Sequence, residues 1–281
     1  MKKEKALIFG AGATGESLLA QIQEHYNVVA FVDNDSRKWN ECLCGIEICS
    51  PESIANKEFD AIFIGTYLGD NDVLSQLLDM GVERNRIHKS DNVAIYEKAR
   101  LAFLRNLAAM FNEMNIKGAV AEGGVFRGEF AKEINSLFPT RRLYLFDTFE
   151  GFDARDIAIE KQHGYSKMDA GHFGITHEDI VLKNMPYPDM CIVCKGYFPE
   201  TTTGINDKFC FVNLDFDLYQ PMIAGIEYFY PIMVNGGVIL VNDYFYAGYR
   251  GAKQALDDFA AKNSGIKMSP IGDGLSIAIC C

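Results

Sequence analysis

Long apolar runs, surplus basic charge and paired cysteine motifs are what this chain lacks. No apolar stretch reaches the roughly 18 residues that a membrane-spanning helix needs. The opening MKKEKALIFG meets glycine after about five apolar residues, short of the ~7–15 of a secretory signal core. A cytoplasmic chain with no membrane partner is therefore expected. Lysine and arginine number 27 against 38 acidic residues, a net charge of -11, which excludes the clustered positive charge that grips nucleic acid. Small molecules remain as partners, together with further copies of the chain as a homo-oligomer. Of eight cysteines, Cys42, Cys44 and Cys49 cluster, Cys280 and Cys281 end the chain, and only Cys191 and Cys194 form C-x-x-C. That pair has no second pair at zinc-finger spacing, and CIVC alternates as a strand does, so reduced and mostly buried thiols are expected. There is no internal repeat, low-complexity tract or long disordered tail.

What is present is an ordinary folded composition, 48% hydrophobic and 23% charged over 281 residues, long enough for one large or two smaller domains. Strands and helices alternate over residues 1–91: KALIFG, a helix from about Glu16 to His25, VVAFVDN, DAIFIGT and a helix around Asp72 to Met80. This order predicts a parallel sheet with right-handed crossovers. The first strand runs into Gly10, Gly12 and Gly15 as G-x-G-x-x-G, and the second ends at Asp33, about twenty residues on, the spacing of a dinucleotide turn and its ribose-binding acid. NVAIYEKARLAFLRNLAAMFNEM, residues 92–114, repeats apolar positions at three and four and predicts a linking helix over 92–116. From residue 117 to 281 the α/β pattern begins again, so the chain reads as two Rossmann-like units.

In open α/β sheets ligands bind at the carboxyl ends of the strands, and in the second unit those ends are acidic. AVAEGGVFRG supplies Glu122, Gly124 and Gly128 at a turn that lets a ligand approach the backbone. RLYLFD ends at Asp147, placed to accept from ribose hydroxyls. FCFVNLDFD ends with Asp215 and Asp217, two apart and so on one face of a strand, where paired like charges call for a cation or a proton between them. GGVILVND adds Asn242 and Asp243. Asp215, Asn242 and Asp243 form a hard-oxygen set suited to Mg²⁺.

The blocks AEGGVFRGEFAKEI, LYLFDTFEGF, KGYFPETT, LDFDLYQP, GGVILVNDY and GYRGAKQALDDF follow one another as in the macrocin O-methyltransferase, or TylF-type, family, which the chain resembles over about residues 100–281. The resemblance implies a class I methyltransferase fold and a metal-dependent enzyme that uses S-adenosylmethionine to methylate sugar hydroxyls. It puts Glu122, Gly123, Gly124 and Gly128 around the methionine part of the cofactor, with Asp215 bordering it. Asp147 and Thr148 fall at its ribose and Gly196 and Tyr197 near its adenine. Asp215, Asn242 and Asp243 match the metal positions, and the catalytic pair is Asp217, as general base, with Asp215. The family usually has two acids where this chain has Asn242 and Asp243, which implies weaker metal binding. His163, His172 and His177 lie where a cover over the site would fall, and Tyr244, Phe245, Tyr246 and Tyr249 stand where an acceptor pocket would be walled. The first unit resembles small nucleotide-fold modules beside sugar-modifying enzymes of bacterial polysaccharide pathways, through FGAGATGESLL and FVDND. It would hold a nucleotide or NAD on Gly10, Gly12, Gly15 and Asp33. The competing readings are an NAD(P)-dependent oxidoreductase working at that first turn, and a non-catalytic nucleotide sensor. The acids of the second unit favour the methyltransferase, because hydride transfer has no use for a metal set of that kind.

Overall fold

A computed structural model describes residues 3–66, 70–89, 91–246 and 248–281; the side chains of residues 13, 17, 70, 71 and 91–97 lie outside that description. The chain divides into two compact units, Met1–Ile95 and Tyr96–Cys281.

The first unit contains β1 (Glu4–Phe9), α1 (Ala13–Ile22), β2 (Tyr26–Val32), β3 (Cys42–Leu43), β4 (Ile46–Cys49), β5 (Ala61–Ile64), α2 (Asp70–Asp79) and β6 (Ile87–Lys89). Its sheet runs β3-β4-β2-β1-β5-β6, parallel except where β3 pairs antiparallel with β4. Alternation along β1 sends Leu7 and Phe9 into one apolar layer and Ile8 into the other, as the two-residue period of a strand covered on both faces requires. The β3–β4 hairpin carries the first cysteine cluster to the sheet edge, where Cys42 and Cys44 are exposed. This corrects the expectation of mostly buried thiols: all eight cysteines are free, and only Cys49 and Cys210 are buried.

The helix α3 (Asp91–Glu113) spans the division in sequence, and the amphipathic reading of its residues 92–97 lies outside the described side chains. Beyond them Leu104, Leu107, Ala108 and Phe111, spaced as one helical face, join a core layer with Val120 and Phe211. The second unit continues with β7 (Ala119–Gly123), α4 (Glu129–Leu137), β8 (Leu143–Asp147), α5 (Ala154–His163), α6 (Glu178–Asn184), β9 (Cys191–Lys195), β10 (Phe209–Leu214), α7 (Tyr219–Phe229), β11 (Met233–Val241), α8 (Arg250–Lys262), β12 (Lys267–Pro270) and β13 (Ile277–Cys280). Its seven-stranded sheet runs β12-β13-β11-β10-β7-β8-β9. Within it β13 alone runs against the others, pairing antiparallel with both β11 and β12. The unpredicted β12 is exposed at all four of its positions, so it carries no hydrophobic alternation. The polar stretch 153–190 holds two helices the residue pattern concealed. One, α5, is capped by Asp153, whose side chain accepts from Arg155 N, and the other, α6, by His177, whose side chain accepts from Asp179 N. No helix among the described residues is long and apolar enough to cross a membrane.

This order matters for the site. The chain runs outward from β7 through β8 to β9 and then returns to place β10 on the other side of β7. Loops leaving β7 and β10 therefore diverge, opening the crevice in which doubly wound sheets bind ligands.

Candidate active site

Register brings the expected residues into one row. Leu214 pairs with Gly123 and with Val241, and Gly123 with Phe146, so the next residues, Asp215, Gly124, Asn242 and Asp147, emerge together at the carboxyl edge. Backbone bonds carry the ladder one step further, from Asp215 N to Gly123 O, Asn242 N to Leu214 O and Gly124 N to Phe146 O, at 2.8–2.9 Å. Gly124 has φ +80, and a Cβ there would lie 1.9 Å from the carbonyl oxygen of Asp215. Only glycine allows β7 and β10 to approach this closely.

The carboxylates of Asp215, Asp217 and Asp243 each place an oxygen within 4.8 Å of the others. Strand alternation is not what unites them, because β10 ends at Leu214. Asp217 and Asp243 instead adopt left-handed backbone, φ 63 and 56, a conformation that costs a non-glycine residue of order 1–3 kcal/mol and collects at functional sites. Burial, then Asp243 beside it, holds Asp217 well above the usual carboxylate range, and burial pushes Asp243 up to about 6. Tyr249, buried on the loop after β11, is pushed far up by burial and by the nearby Asp217 and Asp243.

Asn242, expected among the metal ligands, lies beside the carboxylates, not among them. Its Nδ2 donates to Asp215 Oδ1 at 2.6 Å, and its Oδ1 accepts from Ser276 Oγ at 2.8 Å. Since a carboxylate can only accept, the amide nitrogen must face Asp215, which turns the oxygen away. Two residues unforeseen from the sequence complete this network. Arg100 on α3 donates Nη2 to Asp215 Oδ2 at 2.9 Å and to Asn213 Oδ1 at 3.0 Å. Asn213 Nδ2 in turn donates to Glu122 Oε1 at 2.8 Å. Glu122 is buried, its Oε2 has no hydrogen-bond partner, and burial holds its carboxyl well above the usual range.

Asp147 is engaged by backbone. Its Oδ2 accepts from Val125 N and Phe126 N, both at 2.8 Å, and its Oδ1 from Phe149 N at 2.7 Å. Thr148 Oγ1 donates to Gly151 O and shapes the same turn. Gly128 begins α4 against Val181 and Met185. Gly196 N donates to Asp147 O, and Tyr197 donates its hydroxyl to Asp156 Oδ1 at 2.7 Å under the Arg155 guanidinium. Of the histidines, His177 caps α6 and His163 stacks on Tyr165. His172 packs on Phe152 and Phe173, and Phe152 meets Tyr249 edge to face. Tyr244 is tied to Asp257 and Phe245 is exposed, so these aromatics do not form one wall.

The first unit repeats the Asp147 device. Asp33 Oδ2 accepts from Ala11 N in the glycine turn, and Oδ1 from Asp35 N, two residues on. Lys38 Nζ also reaches Oδ2, at 2.9 Å. Asp33 thus ties the turn to the end of β2, and the open space in front of Gly12 contrasts with Gly15, where a Cβ would strike Gly10 O at 1.9 Å.

A family model described as Macrocin-O-methyltransferase (TylF) matches residues 83–272, and one described as C2185-like, N-terminal, matches residues 2–88. No curated protein matches the chain. Among solved structures, the O-methyltransferase NovP is similar with a TM-score of 0.53 and 21% identity, over 65% of this chain and 79% of its own. CalS11, a calicheamicin methyltransferase, is similar with a TM-score of 0.51 and 16% identity, over 75% of this chain and 85% of its own. These likenesses show a class I methyltransferase fold, α/β with mostly parallel sheets.

Proposed function

The chain belongs to the macrocin O-methyltransferase (TylF) family and is an S-adenosylmethionine-dependent O-methyltransferase, and from that premise we propose that it methylates a sugar hydroxyl in a glycan, nucleotide sugar or natural-product glycoside. The observation that carries this reading is the trio of carboxylates within 4.8 Å at the ends of β10 and β11. Three like charges at that spacing repel strongly unless a cation or shared protons intervene. Hard oxygen donors suit Mg²⁺, and Asp215 and Asp243 would hold it, while the Asn242 amide keeps Asp215 in place. Bound magnesium supplies polarisation of the acceptor hydroxyl.

The chain's own residues do the rest. Asp217, held high by burial, receives the hydroxyl proton on a carboxylate oxygen as the acceptor oxygen bonds to the methyl carbon and the sulfur–methyl bond breaks, leaving S-adenosylhomocysteine. Glu122, an acidic acceptor lacking a donor at Oε2, suits the ammonium of the methionine part of the cofactor. Asp147 and Thr148 shape its ribose site, and Gly196 and Tyr197 border its adenine. Phe152, His172 and Tyr249 cover the acceptor side. The first unit's turn serves packing: besides backbone N–H groups of the kind Asp147 also accepts, Asp33 carries the Lys38 ammonium on Oδ2.

The test is incubation with S-adenosylmethionine, Mg²⁺ and a panel of nucleotide sugars, glycosides and phenols, read by mass spectrometry. Methylation of a sugar hydroxyl that Asp217→Asn abolishes supports the reading. Methylation of phenols alone overturns the acceptor class.

A further inference from the structure

Arg100 is the one buried arginine among the described residues, 6% exposed, and nothing in the proposed chemistry uses it. A guanidinium in such a place is costly unless its charge is matched. The match is Asp215, at 2.9 Å, with the side chains 8% and 23% exposed. The Phe130 ring packs under the guanidinium at 4.0 Å, and Asn213 takes a second bond from the same nitrogen. The cation is therefore held on three sides beside the acid cluster, with no freedom to withdraw into solvent.

Its position changes what the cluster can do. Both oxygens of Asp215 already carry a donor, Arg100 on Oδ2 and Asn242 on Oδ1, whereas Asp217 and Asp243 receive no such donor from a cationic side chain among the described residues. Because Asn242 is neutral, the three carboxylates and Arg100 together carry two negative charges when ionised, the complement of one divalent cation. We propose that Arg100 is a resident counter-cation of the site that competes with the divalent ion for Asp215 and so limits how tightly that ion is held. This rests on the reading that the cluster binds such an ion. Arg100 acts through Asp215 and is a positioning residue. A side chain with a structural role alone would leave metal affinity unchanged or weaken it on removal; a competitor must strengthen it.

The experiment uses the full chain, stripped with chelator and titrated with Mn²⁺ by calorimetry and by electron paramagnetic resonance. Arg100→Met is expected to bind Mn²⁺ on the order of tenfold more tightly, and Arg100→Lys, which keeps the charge, to stay close to the parent. Should Arg100→Met fail to fold with Asp215 left unmatched, Arg100→Gln removes the charge and keeps a neutral donor for Asp215. It is then expected to bind Mn²⁺ more tightly than the parent. Affinity unchanged or weakened by loss of Arg100 in whichever of these comparisons folds overturns the proposal. If the parent and every variant take up no Mn²⁺, the metal reading itself is wrong, and the role of Arg100 falls with it.

Discussion

Replacing Asp147 by asparagine isolates the device on which the cofactor site is built. The carboxylate accepts three backbone N–H groups at 2.7–2.8 Å, from Val125, Phe126 and Phe149. Asparagine offers one acceptor oxygen. Its best placement keeps the oxygen on Val125 and Phe126 and turns the NH₂ toward Phe149 N, so two charge-assisted bonds become neutral and one donor is left facing another. With charge-assisted bonds at ~1.5–3 kcal/mol, neutral ones near ~1, and an orphaned donor at ~1–3 that water partly relieves at this half-buried position, the loss comes to about 2–4 kcal/mol. Urea unfolding followed by far-ultraviolet dichroism reads that loss, and calorimetry reads affinity for S-adenosylhomocysteine, which should fall with it. Asp33→Asn is the internal control. Asp33 holds the equivalent place in the first unit, and its backbone oxygen accepts from the indole of Trp39, the chain's one tryptophan. Asp33→Asn should therefore alter tryptophan emission and leave S-adenosylhomocysteine affinity intact, with Asp147→Asn doing the reverse. An Asp147→Asn protein with parental stability and parental affinity would show that these three bonds carry neither.

Gly124→Ala, with φ +80 and a Cβ 1.9 Å from Asp215 O, should cost the second unit upwards of ~3 kcal/mol and abolish S-adenosylhomocysteine binding. Gly12→Ala, at φ -125 with nothing within 4 Å, should shift the melting temperature by no more than ~0.5 kcal/mol implies. Burial pushes Asp156 from 3.8 up to about 6. Between those values the unfolded chain has lost a proton that the folded one keeps, so Asp156 subtracts from stability as pH rises from about 4 to about 6, by on the order of 3 kcal/mol in full. Urea midpoints across that range should fall less steeply for Asp156→Asn than for the parent; equal slopes would contradict the assignment. Asn242→Asp sets a fourth acid 2.6 Å from Asp215 Oδ1. Its melting temperature without metal should drop and should gain more from Mg²⁺ than the parent's, as measured by calorimetric scans with and without chelator.

The residues that the sequence makes legible are those whose position along a strand decides their fate. Gly124, Asp147, Asp215 and Asn242 each follow or end an apolar run, and parallel register alone brings those ends level, with Glu122 two residues back inside β7. Side-chain direction was not legible in the same way. Asn242 is turned by Ser276, thirty-four positions later, and Asp217 joins the cluster through a left-handed turn that a strand's alternation does not reveal. Arg100 is remoter still. It is 113 residues from Asn213 and 115 from Asp215, and a lone arginine within an amphipathic helix reads as a solvated position until its partners are known. Short or edge elements escaped for a different reason: β3 has two residues and β12 none buried, so neither leaves a hydrophobic period to detect. The cysteines misled because CIVC and Cys42 lie on edge strands and Cys44 in the β3–β4 turn, where the chain faces water, and only Cys49 of that cluster sits on an inner strand.

The second unit is expected to hold the cofactor and the glycine turn of the first to leave it unbound. Calorimetric titration of the full chain with S-adenosylhomocysteine and, separately, with NAD, each repeated on Asp147→Asn and Asp33→Asn, tests it directly. Micromolar binding of S-adenosylhomocysteine is expected, weakened by Asp147→Asn and indifferent to Asp33→Asn, with no heat from NAD. Tight NAD binding lost in Asp33→Asn, with no response to S-adenosylhomocysteine, would contradict it and return the chemistry to residues 10–15.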